Sequence, residues 1–369
     1  MLAKVLAGVS PGPRAGGGTH RVATYNVLSP RLASPGYFRK CNPKALDPSA
    51  RLAAVMQQLS HEVESESIVA LQEVALSWAG PLQVWFAERG YSFIHSNYGN
   101  AFNGYMGVGI AYPLTKYELQ GAELCRLSDS KPWPKAPVDC SLPARLAGAL
   151  RPVRQVLGAP VGLLRRLLLG PRPRPPEDPW AFSQRRFNSL VFLRLRCRSS
   201  GASLGVATYH MPCAFFLPPA MVIHCALAAQ AAASLAGDAP FVLCGDFNIK
   251  PGDATYELLT SSSGTLPPGH PELPPAREWD DWTPTVPTPL ASAYATVDGA
   301  EPDFTNYAQV RDEPPFIDCL DYIFYSADGR LTPVAVKPLP TREQVGGPLP
   351  TFAEPSDHIL IAAEFKIAA

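Results

Sequence analysis

The sequence predicts an α/β protein in which strands and helices alternate along most of the chain. Three observations predict this class: the hydrophobic pattern changes repeatedly between strand and helix periods, 46% of the 369 residues are hydrophobic, and polar residues recur where predicted strands end. A chain of this composition can bury a sizeable core, which excludes wholesale disorder. Its length alone allows one large domain or two ordinary ones.

The first predicted strand covers residues 21–28 and stops at Ser29-Pro30. Apolar residues at helical spacing predict a helix over residues 51–59, and a short apolar run predicts a strand over residues 67–74. The same alternation continues with strands at 188–197, 202–210, 241–248, 322–325 and 358–365 and a helix at 220–236. Strands mixed with helices throughout are typical of an α/β protein with buried sheets.

Proline is abundant, and its distribution divides the chain. The 41 prolines are about twice average usage, and many fall in residues 131–179 and 267–289, which we interpret as insertions. Within the first, residues 141–176 carry seven arginines and no acid, with leucines and valines at roughly helical intervals. Two interpretations stay open: a passive spacer, partly helical and partly disordered, or a basic amphipathic segment that contacts an anionic surface, RNA or a protein.

Charge and cysteine content exclude several classes of protein. Lys+Arg and Asp+Glu balance at 32 each, which excludes a globally basic nucleic-acid-binding surface but not a local patch. The eight cysteines include no C-x-x-C pair, which argues against a zinc site or a disulfide framework and predicts a reducing compartment. No apolar run approaches the roughly 18 residues of a membrane span. We expect an intracellular, cytoplasmic protein, with import into an organelle as the alternative.

Polar residues that suit phosphate or metal chemistry lie at the ends of the predicted strands. They are Asn26, Glu73, His210, Asp246, Asn248, Asp321, Asp357 and His358. A strand end lets a rigid sheet present a side chain to a cleft while the strand body stays buried. Singly each is weak, because a lone glutamate or histidine after a strand is usually a surface or packing residue. The G-D-F-N and S-D-H motifs are stronger, because Asp246 and Asn248 face one side and Asp321 is available to orient His358.

Six motifs occur in order along the chain: YNVLS, LQEV, YHMP, CGDFN, LDYIFYS and PSDH. This set resembles the endonuclease/exonuclease/phosphatase superfamily over about residues 20–367. Within it, YNVL, His210-Met211 and the passage from FTNY to CLDYIFYS are similar to the branch of the carbon catabolite repressor deadenylases, nocturnin, the Angel proteins and 2′-phosphodiesterase. The resemblance implies a DNase-I-like fold, a four-layer α/β sandwich of two packed mixed β-sheets flanked by helices. It also implies a single domain over residues 20–367, with a flexible N-terminus at 1–19 and insertions at about 131–179 and 262–290.

The resemblance implies a metal site built from oxygen ligands. Glu73 would be the principal Mg²⁺ ligand, Asn26 would lie in the same metal and phosphate shell, and Asp357 would complete that shell. Mn²⁺ is the alternative ion. A hard cation with few protein carboxylates and several waters is the magnesium pattern, and no cysteine cluster competes for a softer metal.

The resemblance implies catalytic roles for five further residues. Asp246 would orient or deprotonate the attacking water, and Asn248 would help to hold that water and the phosphate. His358 would stabilise charge on the scissile phosphate while Asp321 fixes its tautomer, and His210 would bind the non-bridging oxygens. Phosphodiester hydrolysis needs such groups, because charge grows on a pentacoordinate phosphorus.

Two departures from the branch concern the substrate pocket. After His210 the deadenylases continue with a short aromatic-Asp-Pro passage, whereas this chain reads MPCAFFLP, and residues 105–112 read YMGVGIAY where the branch has D-G-C-A-I-F. Arg186 matches a phosphate-contacting arginine of nocturnin, although RR pairs are common. Phe316 and Phe215 are candidates for stacking on a base, with a place in the core as the alternative for both.

These features predict a Mg²⁺-dependent phosphodiester hydrolase that acts on RNA 3′ ends, most simply a 3′-to-5′ exoribonuclease of poly(A) deadenylase type. The alternative enzyme acts on small nucleotides or RNA ends: 2′,5′-oligoadenylate, a 2′,3′-cyclic phosphate or a nucleotide 2′-phosphate. The neutral overall charge leaves that alternative open. A catalytically inactive binding module is disfavoured, because the acids, amides and histidine of the six motifs are retained together. The sequence does not fix the oligomeric state.

Overall fold

The fold is described from a computed structural model over residues 18–137 and 177–368. The strands in these residues are β1 (His20–Asn26), β2 (Ile68–Val74), β3 (Tyr91–Asn97), β4 (Gly107–Pro113), β5 (Tyr117–Arg126), β6 (Ser189–Cys197), β7 (Ser203–His210), β8 (Phe241–Asp246), β9 (Leu290–Ser292), β10 (Asn306–Ala308), β11 (Phe316–Asp318), β12 (Asp321–Ser326), β13 (Leu331–Val336) and β14 (Ile361–Ile367). The α-helices are α1 (Pro48–Glu64), α2 (Leu76–Ala87), α3 (Pro179–Gln184), α4 (Pro218–Ala236), α5 (Ala254–Thr260), α6 (Ala293–Asp298) and α7 (Arg342–Val345).

Two six-stranded mixed sheets form the centre of the molecule. The first has the order β13-β14-β1-β2-β4-β3 and the second the order β5-β6-β7-β8-β12-β9, while β10 and β11 form a separate antiparallel pair. In each sheet one central pair is parallel, β1 with β2 and β7 with β8, and the other pairs are antiparallel. The carboxyl ends of the parallel strands therefore share an edge with the amino ends of the antiparallel strands β14 and β12.

Three apolar layers hold the sheets and helices together. Side chains such as Val22, Val206 and Ile323 pack between the two sheets. A second cluster fills the space between the first sheet and helices α1 and α2, and a third packs the second sheet against α3, α4 and α5. Helix, sheet, sheet and helix make four layers, so the predicted DNase-I-like α/β sandwich is confirmed.

Helix α4 is long and apolar enough by composition to cross a membrane, but 67% of that stretch is buried inside the protein. It packs against the second sheet, and its neighbours include α3 and α5. Alanine and other apolar residues occur on all sides of this helix, which is typical of a helix that is buried on most of its surface.

The predicted helices and strands differ from the structure in their boundaries and in the elements that the sequence patterns did not reveal. The predicted strand at 358–365 was wrong at its start: the strand begins at Ile361, and His358 lies in the loop before it. Strands β3 to β5 and β13 and helix α2 were not predicted; β5, for example, exposes most of its side chains and so lacks an alternating hydrophobic pattern. Residues 261–289, in the predicted second insertion, contain no helix or strand.

The described ends of the first insertion meet the second insertion in one cluster, which we call the insertion-root cluster: Lys131, Trp133, Trp180, Asp280 and Trp282. The Lys131 ammonium lies 2.8 Å from both carboxylate oxygens of Asp280, and both side chains are almost fully buried. The three indole rings surround that ammonium at 5.1 to 5.6 Å from their centroids. The Arg-rich stretch 141–176, predicted as a spacer or contact segment, lies outside the described residues.

Candidate active site

The candidate active site lies where the two sheets meet at the shared edge. Four polar side chains fall on the strand faces that carry the inter-sheet core: Asn26, His210, Asp246 and Asp321. Each is an even number of residues from an inter-sheet side chain of its own strand, as Asp321 is from Ile323, and side chains at even spacing share one face of a strand. Strand pairing places His210 opposite Asp246, and Asp246 opposite Asp321. The alternation of the strands therefore delivers side chains from both sheets to one cleft.

Asp246 is the centre of the site. Its Oδ2 accepts a hydrogen bond of 2.9 Å from Asn26 Nδ2 and lies 3.5 Å from His210 Nε2 and 3.7 Å from His358 Nε2. Its Oδ1 accepts a hydrogen bond from the Asn248 amide. The carboxylate is almost fully buried, so these contacts fix its orientation.

His358 and Asp321 form a buried charged pair beside it. His358 Nδ1 lies 2.7 Å from Asp321 Oδ2, which also accepts a 2.6 Å hydrogen bond from the Thr305 hydroxyl. Burial disfavours the charged imidazole, but the carboxylates of Asp321 and Asp246 outweigh it and hold the pKa of His358 well above its usual range. Burial also raises the pKa of Asp321, so the pair holds a proton, and His358 Nε2 faces Asp246 Oδ2 at 3.7 Å.

Glu73 reaches the cleft through a backbone irregularity. The pairing of β2 with β4 shifts register between Leu71 and Val74, and Glu73 itself has a φ of 57°. By simple alternation Glu73 would share the helix-facing side with Val69 and Leu71, so the bulge redirects it. Its Oε2 accepts from the Ser29 amide at 2.8 Å and its Oε1 from Asn26 Nδ2 at 3.2 Å.

The two amide side chains link the catalytic segments. Asn26 donates to both Glu73 and Asp246, while its Oδ1 accepts from the Leu28 amide. Asn26 is therefore a donor at the site, and its predicted place among the metal ligands stays a prediction. Asn248, at a φ of 52°, donates to the carbonyl of Met211 and thereby ties the loop after β8 to the loop after β7.

Asp357 completes the ring of acids that line the cleft. Burial raises the pKa of Asp357 to about 6; His358 opposes this rise and Glu73 adds to it. A cation bound beside Asp357 would offset this desolvation and favour the ionised carboxylate.

This donor set fits a hard divalent cation. Glu73, Asp246 and Asp357 present carboxylate oxygens to one cleft, and such oxygens are the ligands that hard divalent cations prefer. Asp246, Asp321 and His358 also have ligand atoms within 4.8 Å of one another. Because the His358–Asp321 pair holds a proton, that trio suits a cation less well than the Glu73 side of the cleft does.

The cleft has a volume of about 770 Å³ and a mainly apolar wall. Three phenyl rings on its lining are exposed: Phe316, Phe215 and Phe102, at 47%, 75% and 80%. The alternative that Phe316 and Phe215 are core residues is therefore wrong. Apart from the two histidines, the cationic side chains on the lining are Arg31 and Lys250, and Lys250 lies 3.7 Å from Asp318.

Arg186 is not brought to the site. Its guanidinium carbon lies 3.8 Å from the ring centroid of Phe182, and Arg186 is not among the described residues that line the cleft. The other predicted site residues line the cleft directly, except Asn26 and Asp321. Asn26 contacts the lining residues Glu73 and Asp246, and Asp321 contacts the lining residue His358.

Several supporting residues were not predicted. Tyr98 lies 3.1 Å from His210 Nδ1, and Asn188 donates to the His210 carbonyl. Ser356 donates to the Asn26 carbonyl at 2.6 Å and accepts from the His358 amide. Thr305 belongs to the FTNY motif and Ser356 to the PSDH motif, so these motifs could have identified both as supporting residues. Tyr98 belongs to none of the motifs.

The sequence profile of the Endonuclease/Exonuclease/phosphatase family matches residues 23–358. The chain belongs to this family. Over 128 residues it is 38% identical to carbon catabolite repressor protein 4 homolog 4 of Arabidopsis thaliana, covering 34% of this chain and 27% of that protein. Over 136 residues it is 38% identical to the CCR4-Not complex 3′-5′-exoribonuclease subunit Ccr4 of Emericella nidulans, covering 35% and 18%. These matches span only about a quarter and a fifth of the relatives' lengths.

Two solved structures share the fold over nearly the whole chain. ANGEL2, a 2′,3′-cyclic phosphatase, superposes with a TM-score of 0.66 at 18% identity, covering 94% of this chain and 95% of that one. The catalytic domain of human nocturnin, with a bound sulfate anion, superposes with a TM-score of 0.59 at 17% identity, covering 95% and 94%. The predicted resemblance to this branch is confirmed, and the matches support a hydrolase of phosphoester bonds.

Proposed function

We propose that the protein is a divalent-cation-dependent phosphodiesterase that acts at RNA 3′ ends, as a 3′-to-5′ exoribonuclease of deadenylase type. The observation that carries this is the convergence on Asp246 of a charged imidazole, a second imidazole and an amide donor, beside the carboxylates of Glu73 and Asp357. Positive and negative groups within one buried cleft suit a reaction in which a water is activated next to a phosphate that gains charge.

The side chains divide that chemistry between them. Asp246 lines the cleft as a hydrogen-bond acceptor. It orients the attacking water and accepts a proton from it. His358, held as imidazolium by Asp321, donates from Nε2 to the phosphate oxygens as their charge increases. His210 and Asn26 offer further donors on the same side. Glu73 and Asp357 would hold Mg²⁺, which supplies charge neutralisation on the phosphate when it is bound.

Recognition of the base is assigned to the exposed rings. Phe316 stands on β11 beside the cleft, and Phe215 lies in the loop after His210, so a base flanking the scissile phosphate is within reach of both. Stacking on such rings contributes about 1 to 3 kcal/mol per base.

The second candidate acts on small nucleotides or on RNA ends such as a 2′,3′-cyclic phosphate. Among the described residues of the lining, lysines and arginines are few, and this favours the second candidate because a long RNA needs such side chains to neutralise its backbone. The volume of the cleft is also within the usual range of small-molecule pockets, about 300 to 1,000 Å³.

A substrate panel tests both candidates. The purified protein is given Mg²⁺ and four substrates: a 5′-labelled oligoadenylate, a mixed-sequence RNA, an RNA that ends in a 2′,3′-cyclic phosphate, and a nicotinamide dinucleotide 2′-phosphate. The leading proposal predicts stepwise shortening of the oligoadenylate, which chelation of the metal or Asp246→Asn abolishes. Release of phosphate from the dinucleotide, or opening of the cyclic end, without any shortening would replace it by the second candidate. No turnover of any substrate would overturn both.

A further inference from the structure

A buried arginine without a carboxylate partner lies behind the cleft. Arg51, in the first turns of α1, is 1% exposed, and within the described residues it forms no salt bridge. Burying a guanidinium costs considerable free energy unless its donors are satisfied, so its hydrogen bonds indicate what it holds in place.

All the hydrogen bonds of the Arg51 side chain go to main-chain carbonyls of two catalytic segments. Nη2 donates to the carbonyls of Val27 and Leu28 at 2.6 and 2.7 Å, directly after Asn26. Nε donates to the carbonyl of Pro355 at 2.6 Å, two residues before Asp357. One guanidinium thus connects the loop after β1 to the loop before β14.

The first of these loops is strained and leads straight to Glu73. Leu28 has a φ of 51°, which a branched side chain rarely adopts, and its amide donates to Asn26 Oδ1. The next amide, that of Ser29, donates to Glu73 Oε2. Arg51 holds the carbonyl of Leu28 and thereby keeps the Ser29 amide directed at the carboxylate.

The second loop carries the other side of the site. Ser356, next to Pro355, donates to the Asn26 carbonyl and accepts from the His358 amide. The chain then continues to Asp357, which lines the cleft. Movement of Pro355 would therefore displace Asp357 and His358 relative to Glu73.

The guanidinium also contributes charge from beneath the cleft. Within the described residues its Nη1 has no hydrogen-bond partner, and its Cζ atom lies 5.2 Å from the ring centroid of Trp78. No acid neutralises it at contact distance, so its positive field acts on the carboxylates of Glu73 and Asp357.

We propose that Arg51 is a positioning residue, which clamps the Val27–Leu28 and Pro355 segments so that Glu73 and Asp357 form one cation-binding pair. This inference rests on the proposed function. A lysine cannot replace the arginine, because an ammonium is a point donor and cannot bridge carbonyls in a fixed fork.

Arg21 provides a matched control. It lies at the opposite end of β1 from Asn26, is largely buried, and binds Glu62 at 2.7 and 2.9 Å. Arg21→Met therefore removes an arginine that binds the same helix, α1, without touching a catalytic segment.

The test measures Mn²⁺ binding by calorimetry, without substrate, on the wild type, Arg51→Lys, Arg51→Met and Arg21→Met. Thermal midpoints and the hydrolysis of bis(4-nitrophenyl) phosphate are measured on the same proteins. Both Arg51 variants are expected to bind Mn²⁺ about 10-fold or more weakly, as for residues that orient metal ligands. Their kcat should fall while KM changes little, and Arg21→Met should lower the thermal midpoint but bind Mn²⁺ as the wild type does.

Equal Mn²⁺ affinity in the Arg51 and Arg21 variants would overturn the inference. If Arg51→Met does not fold, Arg51→Lys, which keeps the charge, decides by the same comparison. Failure of the wild type to hydrolyse any phosphodiester, with Mn²⁺ binding still dependent on Arg51, would overturn the proposed function but not the clamp. Failure of the wild type to bind Mn²⁺ would overturn both.

Discussion

The cleft and the helix-covered face of the second sheet both bury titratable groups, but they balance charge differently. In the cleft, no lysine or arginine of the described residues forms a salt bridge with Glu73, Asp246 or Asp357, and the pKa of His358 is held well above its usual range. Behind the second sheet, Lys131 is matched by Asp280 at 2.8 Å, and burial lowers the pKa of His224 to about 3. His224 is thus kept neutral, with Tyr209 hydrogen-bonded to it at 2.9 Å.

This difference distinguishes buried charges that serve catalysis from buried charges that stabilise the fold. A buried charge that is matched by a partner costs little further free energy and fixes a local structure. Buried charges of one sign that lack such a partner are unfavourable for the fold. They are retained where a ligand of opposite charge completes the site. The comparison therefore predicts opposite outcomes for charge-removing substitutions in the two regions.

The largest effect is expected from Glu73→Gln in the cleft. Activity should fall by about 10³-fold, because the substitution removes a carboxylate from the proposed cation site. The thermal midpoint without metal should not decrease, because one of several repelling charges is lost. Steady-state kinetics and thermal unfolding on one preparation check this. A destabilised but active variant would contradict the proposed division between the regions.

The second effect is expected from Lys131→Met in the insertion-root cluster. The free energy of unfolding should decrease by about 3 kcal/mol, because Asp280 is left buried without its partner. The kcat should stay near the wild-type value. Denaturant unfolding measures the loss, and the double variant Lys131→Met, Asp280→Leu should recover much of it. No recovery would mean that the indole packing, and not the charge pair, holds this cluster.

The smallest effect at neutral pH is expected from the buried histidine His224, which changes stability only as the pH falls. Its folded-state pKa of about 3 lies below the ordinary 6.5, so the unfolded chain takes up a proton first as the pH falls. The wild type should therefore lose stability between about pH 6.5 and 3, by up to about 1.4 kcal/mol per pH unit.

His224→Gln keeps an acceptor for the Tyr209 hydroxyl and removes the titrating group. Its stability should depend less on pH over this range, as followed by urea unfolding at a series of pH values. Identical pH dependence of the two proteins would show that other groups cause the acid sensitivity.

Much of the fold and part of the site could be predicted from the sequence. The alternation of strand and helix patterns gave the class, and residues at strand ends such as Asn26, His210 and Asp246 lie at the shared edge. Antiparallel pairing explains why Asp321, the first residue of β12, and His358, which precedes β14, arrive at the same edge.

The remainder depends on features that leave no local pattern. The bulge that turns Glu73 into the cleft is a property of strand pairing, and simple alternation would direct it to the helices. The helical pattern that contains Arg51 predicts only a helix. A charged residue on the buried face of that helix is the signal that could have identified its role. The phosphate contact expected of Arg186 from its motif match stays a prediction, because its guanidinium stacks on Phe182 and is not part of the described cleft lining.

The distribution of tryptophan has a spectroscopic consequence. Of the six tryptophans, Trp78 and Trp85 lie on α2, and Trp133, Trp180, Trp279 and Trp282 lie at or beside the two insertions, while the lining of the cleft includes none. Intrinsic fluorescence will therefore report the integrity of the outer layers and not the arrival of a nucleobase. The same signal gives an internal measure of folding for every active-site variant, independent of substrate.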